Sequence, residues 1–183
     1  MTVSDPALAE LLNSRIRDVP DYPKPGVLFK DIAPLLADAE AFAALVDALA
    51  SRAKAHGATK VVGLEARGFV LAAPAAYAAG LGFVPIRKKG KLPGEVYGRS
   101  YELEYGSATL EVQCDAFEPG EKVLVVDDVL ATGGTLSASL DLVRQAGAEP
   151  AGVVVLMELG FLPGRDRLTE HLGGAPLETL VLV

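Results

Sequence analysis

The chain has 183 residues, half of them hydrophobic and 22% charged, with a net charge of −7 and a pI near 4.9. That composition is globular and long enough to bury one core, at roughly 150 residues per domain. The excess of acid excludes recognition of nucleic acid or an anionic membrane by bulk charge, so an anionic ligand needs a local device.

Ser4-Asp5-Pro6 reads as a helix start, followed by Leu8, Leu11, Leu12 and Ile16 at helical spacing. Asp5 and Glu10, with no apolar core among residues 1–19, argue against a secretory signal. Pro20, Pro23 and Pro25 predict an irregular segment over residues 19–32. A helix is expected over about residues 38–55, with Phe42, Leu45, Val46 and Leu49 as its apolar stripe and Gly57 as its stop. An alternation then begins: strand 60–64, helix 67–79 ended by Gly80, strand 83–86. The apolar stretch 69–81 holds Pro74 and is too short to cross a bilayer. Pro119-Gly120 leads into the clearest strand, 122–126. A helix over 135–145 ended by Gly147, a strand over 151–157 and a last strand over 177–183 complete the series.

Near-continuous apolar runs separated by helices predict an α/β fold: an open, mainly parallel twisted sheet with helices on both faces. Residues 95–113 break the pattern. They hold Tyr97, Tyr101 and Tyr105 and are divided by Gly106-Ser107, which predicts an inserted antiparallel hairpin. It is either a lid over a site or an edge hairpin that only packs. Cys114, the only cysteine, permits no internal disulfide and fits a reducing compartment. With His56 and His171 it is too small a set for a structural zinc site. Cys114 is expected to be buried, His56 to be an exposed helix-end residue, and His171 to lack a visible partner. A cytoplasmic location is expected.

The chemistry concentrates in residues 123–135: Val-Leu-Val-Val, Asp127-Asp128, Val-Leu, then Ala131-Thr132-Gly133-Gly134-Thr135. A buried strand leads through two acids into a small-residue loop and a helix. Beyond the carboxyl end of a parallel strand, loop N–H groups and a helix N-terminus converge on one point and suit a phosphate. Gly133 and Gly134 admit close backbone approach, and Thr132 and Thr135 add hydroxyls. Two adjacent acids before an anion site need a mediator. They bind ligand hydroxyls, or they hold Mg²⁺, directly or through its waters. No Lys follows the glycine pair, which excludes a Walker loop, and the G-x-G-x-x-G dinucleotide spacing is absent.

This stretch resembles the phosphoribosyl-pyrophosphate (PRPP) motif of the type I phosphoribosyltransferases throughout its length. Further segments narrow the resemblance to the adenine phosphoribosyltransferase family: 22–32 (Tyr-Pro-Lys-Pro-Gly-Val-Leu-Phe-Lys-Asp-Ile), 63–69 (Gly-Leu-Glu-Ala-Arg-Gly-Phe), 86–94 and 101–106, in the same order and spacing from about residue 20 to residue 165. The resemblance implies a single domain over 1–183, with a base-binding segment within 1–35 and a lid at 95–113. It implies that adenine and PRPP give AMP and pyrophosphate with Mg²⁺, in a homodimer. It places the 5′-phosphate on Ala131, Thr132, Gly133, Gly134 and Thr135, and the ribose hydroxyls and metal near Asp127 and Asp128. Arg67, Arg87, Lys88 and Lys91 would meet pyrophosphate. Adenine would lie between Phe29 and Leu159, its edge read by Leu28 and the backbone of Lys30. Glu104 would handle the proton at the purine, and Tyr101 and Tyr105 would form the lid.

Apart from the resemblance, Leu28 and Leu159 would pass as core residues and Lys89 as solvated. Lys30 and Glu65 stand where Arg and Asp are usual in the eukaryotic form. Arg87, Lys88, Lys89, Lys91 and Arg99 cluster along the chain with Glu95 as the only acid among them, and Arg67 is expected to join them in space. Two other readings remain: a PRPP-sensing regulator, disfavoured by the net charge and the absence of a spare region, and a phosphoribosyltransferase for another base.

Overall fold

A computed structural model describes residues 5–102 and 107–183. Helix α1 (Pro6–Asn13) is capped by the Asp5 carboxylate, which accepts from the Ala7 N–H. Residues 19–32 are not wholly irregular, as the prolines suggested. β1 (Arg17–Pro20) and β2 (Leu28–Asp31) pair as a small antiparallel sheet, with Pro20 at the strand end where its missing N–H costs nothing. A short helix α2 (Ala33–Ala37), not expected from the sequence, precedes α3 (Ala39–Ala55), whose N-cap Asp38 accepts from the N–H groups of Glu40 and Ala41.

The alternation then follows the expectation: β3 (Lys60–Leu64), α4 (Arg67–Ala79) and β4 (Gly82–Lys88). The hairpin β5 (Val96–Glu102) and β6 (Ser107–Gln113) comes next. After it follow β7 (Lys122–Leu130), α5 (Gly134–Gln145), β8 (Glu149–Glu158), α6 (Gly164–Leu172) and β9 (Leu177–Leu182). Helix α6 carried no signal in the sequence reading; only Leu168 of its larger side chains is fully buried, so its apolar pattern is faint.

The main sheet has the order β5-β6-β4-β3-β7-β8-β9. β4, β3, β7, β8 and β9 are parallel, and β6 joins β4 antiparallel through Arg87 and Lys88. Strand alternation sends Leu124 and Val126 into the core under α1, α3 and α4, and Val123 and Val125 into the core under α5. Both faces are covered, which is why the strands read as continuous apolar runs. Neighbouring strands β3 and β7 lead in opposite directions, β3 to β4 and β7 to β8. Their carboxyl ends therefore form a topological switch point, where an open parallel sheet leaves a crevice.

Candidate active site

Two helix N-termini face this crevice: α4 at Arg67, after β3, and α5 at Gly134, after β7. β7 runs further than the apolar pattern indicated. Asp127 and Asp128 lie inside the strand, which continues to Leu130, because β8 supplies ladder partners as far as Glu158. Both carboxylates are buried. Burial, reinforced by the charge of Asp128, pushes the Asp127 carboxyl well above the ordinary carboxylate range. Burial also raises Asp128, against the opposing charge of Arg67. The Asp128 N–H donates to Asp127 Oδ1 at 2.9 Å.

Arg67 closes the acidic pair. Its Nε lies 2.8 Å from Asp128 Oδ2, an ion pair whose angle leaves that oxygen without a hydrogen bond. The same guanidinium stands 5.1 Å from the centroid of the Phe29 ring, so it joins the β2 segment to the acids. Gly68, which the sequence did not single out, makes this approach possible. A Cβ there would sit 2.8 Å from Asp127 Oδ1 and 3.1 Å from the Val126 carbonyl oxygen.

The loop Ala131 to Thr135, with Asp127, Val129 and Leu130, lines a small cavity at the start of α5. Gly133 holds φ +81°, a left-handed conformation open to glycine, and caps α5. Tyr101 reaches this loop from the hairpin: its hydroxyl lies 3.3 Å from Thr135 Oγ1. The hairpin thus both packs against α5 and touches the cavity rim. Glu104 and Tyr105 lie outside the described residues.

Glu65, noted in the sequence only as a departure, organises the basic side of the crevice. Its Oε2 accepts from the Lys88 N–H at 2.9 Å and from Arg87 Nε at 3.3 Å. Burial opposes its ionisation, yet these two donors hold its carboxyl below the usual range. Arg87 also donates to the Lys91 carbonyl at 3.1 Å and lies over Phe69. Lys88, Lys89 and Lys91 are exposed. Arg99 does not join them: it pairs with Asp141 on α5 at 2.8 Å. The strand places that side chain on the helix rather than at the crevice, which chain proximity alone could not reveal.

On β2, Leu28 is 51% exposed and so is not a core residue. Lys30 Nζ pairs with Asp18 across the β1–β2 ladder at 2.7 Å, so its ammonium is engaged within the small sheet. Leu159 is half-buried just beyond β8, its N–H bonded to the Leu130 carbonyl. The remaining single residues differ from expectation. Cys114 is half-buried. His171 Nδ1 lies 3.2 Å from Asp141, and His56 is half-buried against Glu178.

Comparison with known proteins agrees with this geometry. The model of the phosphoribosyl transferase domain family matches residues 35–167. An adenine phosphoribosyltransferase of Streptomyces coelicolor is 67% identical over 176 residues, covering 96% of this chain and 97% of the relative. The crystal structure of adenine phosphoribosyltransferase from Rhodothermus marinus superposes with a TM-score of 0.89 at 46% identity, covering 98% of this chain and 100% of that one. The Trypanosoma brucei enzyme, in complex with AMP, pyrophosphate and ribose-5-phosphate, gives 0.87 at 27% identity, covering 100% of this chain and 82% of that one. The chain belongs to the type I phosphoribosyltransferases, in the family of the adenine phosphoribosyltransferases.

Proposed function

We propose that this chain transfers the 5-phosphoribosyl group from PRPP to adenine, giving AMP and pyrophosphate in purine salvage. One observation carries the reading: the Arg67–Asp128 pair stands at the switch point with the small-residue loop 131–135, joining a cation, two carboxylates and an anion cradle in one crevice. The amides of Ala131 to Thr135 hold the 5′-phosphate, and the Thr132 and Thr135 hydroxyls add donors. Asp127 and Asp128 accept from the ribose hydroxyls.

The residues present fit Mg²⁺. Asp127 and Asp128 bring two buried carboxylates together at the end of β7, with Asp128 Oδ2 held only by the Arg67 ion pair, and carboxylate oxygens are the donors this ion prefers. No cluster of three or more acidic, His or Cys side chains that could hold a metal occurs among the described residues, so its other oxygens come from substrate and water. When bound, Mg²⁺ supplies charge neutralisation to the leaving pyrophosphate.

Breaking the bond from C1 of the ribose to pyrophosphate builds positive charge on the sugar and negative charge on the leaving group. Arg67, Arg87, Lys88 and Lys91 stabilise the latter, with Glu65 fixing Arg87 in place. Adenine lies between Phe29 and Leu159, where Leu28 and the Lys30 backbone read its edge, and its ring nitrogen attacks C1. Glu104 takes the proton that this nitrogen sheds. Tyr101 and Tyr105 close the lid and keep water from the sugar cation. Protease cleavage within residues 95–113 should slow when PRPP and adenine are present; unchanged cutting rules the lid out.

Location in the cytoplasm and assembly as a homodimer belong to the same reading. Val70 and Tyr77, seven residues apart on α4, leave an exposed apolar face suited to a second copy. The deciding experiment is a screen of purine and pyrimidine bases for pyrophosphate release from PRPP with Mg²⁺. Consumption of adenine is expected. Consumption of hypoxanthine, xanthine or orotate with none of adenine overturns the assignment.

A further inference from the structure

The phosphate loop rests on a helix that the sequence did not announce. The first residue of α6, Gly164, has its Cα face pressed on the Ala131 peptide: a Cβ there would fall 2.0 Å from the Ala131 carbonyl oxygen and 3.0 Å from its carbon. The contact is reciprocal. A Cβ on Gly133 would fall 2.7 Å from the Gly164 carbonyl oxygen. Gly164 is therefore seated on the Ala131 peptide and Gly133 on the Gly164 carbonyl, about thirty positions apart in the chain, and neither admits even a methyl group.

Helix α6 has little freedom to retreat. Next to Gly164, Arg165 grips both carboxylate oxygens of Glu158 at the end of β8 through its Nε and Nη2 and donates from Nη2 to Thr179 Oγ1 on β9 at 2.9 Å. Thr179 Oγ1 donates in turn to Glu158 at 2.7 Å. Leu168 is fully buried. At the far end, Arg144 of α5 donates to the carbonyls of His171 and Leu172 at 2.6 and 3.0 Å. With α6 pinned at both ends, bulk added at residue 164 moves the loop rather than the helix.

We propose that Gly164 and Arg165 are positioning residues for the 5′-phosphate loop. Gly164 sets the height of the Ala131–Gly133 backbone, and Arg165 holds Gly164 there. The proposal rests on the reading of 131–135 as the 5′-phosphate site. Interlocked backbone of this kind has two consequences. It keeps the loop amides in a phosphate-ready arrangement before ligand arrives, which lowers the cost of ordering on binding. It also makes the effect fall mainly on the phosphate, because Leu28, Phe29 and Lys30 on the adenine side belong to β2 and only Leu159 borders this contact.

The test uses ribose 5-phosphate, a probe of the loop that requires no base chemistry. Its affinity is measured by calorimetry for the wild type, Gly164→Ala and Arg165→Lys, together with the separate KM values for PRPP and adenine and the thermal melt. Gly164→Ala should weaken ribose 5-phosphate binding and raise the KM for PRPP by about ten-fold or more, with the KM for adenine within about three-fold of wild type. Arg165→Lys loses the two-pronged grip but adds no bulk, and should shift the same two quantities by about three-fold. A folded Gly164→Ala whose ribose 5-phosphate affinity and PRPP KM match wild type overturns the proposal. So does an equal rise in both KM values. If Gly164→Ala does not fold, Arg165→Lys decides, and wild-type values there overturn it. A wild type that binds ribose 5-phosphate but makes no AMP refutes the assigned reaction while leaving the positioning role to be judged on the same affinities. A wild type that does not bind the probe refutes both.

Discussion

Arg67 Nε lies 2.8 Å from Asp128 Oδ2, so the residue that opens α4 is bonded across the crevice to the strand that feeds α5. This pair joins the two halves of the switch point and leaves the remaining guanidinium nitrogens for an anionic group. Replacing Arg67 with Ala removes the cation proposed to meet pyrophosphate and strands a buried carboxylate. The expected loss in kcat/KM is at least ~10-fold, or about 1.4 kcal/mol of transition-state stabilisation. Steady-state kinetics with adenine and PRPP check this, and a near-normal rate refutes the site.

Asp127→Asn should trade activity for stability. The folded-state pKa of Asp127 is raised by burial and by Asp128, so the ionised form is disfavoured in the fold. Stability is therefore lost as pH climbs above the unfolded carboxylate pKa of about 4. Asn keeps an acceptor for the Asp128 N–H and carries no charge. In Mg²⁺-free buffer at pH 7 to 8 the variant should melt about 2–4 °C higher than wild type, the shift about 1 kcal/mol makes in a chain of this size. The gap should close as pH falls toward 4, while kcat/KM drops at least ~10-fold. A lower melting temperature at pH 8 contradicts the electrostatic account.

Gly68→Ala tests how tightly the acids are packed. Its methyl would meet Asp127 Oδ1 at 2.8 Å and the Val126 carbonyl at 3.1 Å, both on the rigid strand β7. Overpacking of this kind costs about 1–3 kcal/mol. The denaturant midpoint should fall, and activity with it, because the displaced carboxylate is one proposed to hold the ribose hydroxyls. An unchanged midpoint means the strand yields more readily than its buried flanks suggest.

Glu158→Gln addresses a different charge. Hydrogen bonds from Arg165, opposed by burial and aided by Thr179, hold the Glu158 carboxyl below its ordinary range. Such a group adds stability above its unfolded pKa of about 4.3, and that stability is lost as pH falls through the lower folded value. At pH 7 the Gln variant should be less stable by about 1.5–3 kcal/mol, the scale of hydrogen bonds to a charged group. Below about pH 4 the two proteins should converge. Melting curves at a series of pH values measure the convergence, and a constant difference refutes the ionic contribution.

Most elements of the main sheet and the loop that opens α5 were legible because their signals are local. A strand buried on both faces carries an unbroken apolar run, as Val123 to Val126 of β7 and Val153 to Met157 of β8 do. A helix that ends must release its last carbonyls, and Gly80 does so in a left-handed conformation. Asp127-Asp128 followed by Ala-Thr-Gly-Gly-Thr is likewise a contiguous device, and its acids proved buried as their position implied. Faint signals failed instead: α6 exposes most of its surface, and β1 and β2 are short strands among prolines.

The sequence by itself determined the class of fold and most of the strand and helix order of the main sheet, and it pointed to the small-residue loop after Asp128 as an anion cradle that needs no net positive charge. Only the tertiary structure decided which distant residues complete it. Arg67 reaches Asp128, Gly68 makes room for Asp127, and Gly164 supports Ala131, while Arg99, close in sequence to the basic cluster, turns away to Asp141. The reason is physical. Periodicity and turn chemistry act within a few residues, whereas the meeting of two loops depends on how parallel strands are ordered in the sheet and on where glycine lets one backbone rest against another.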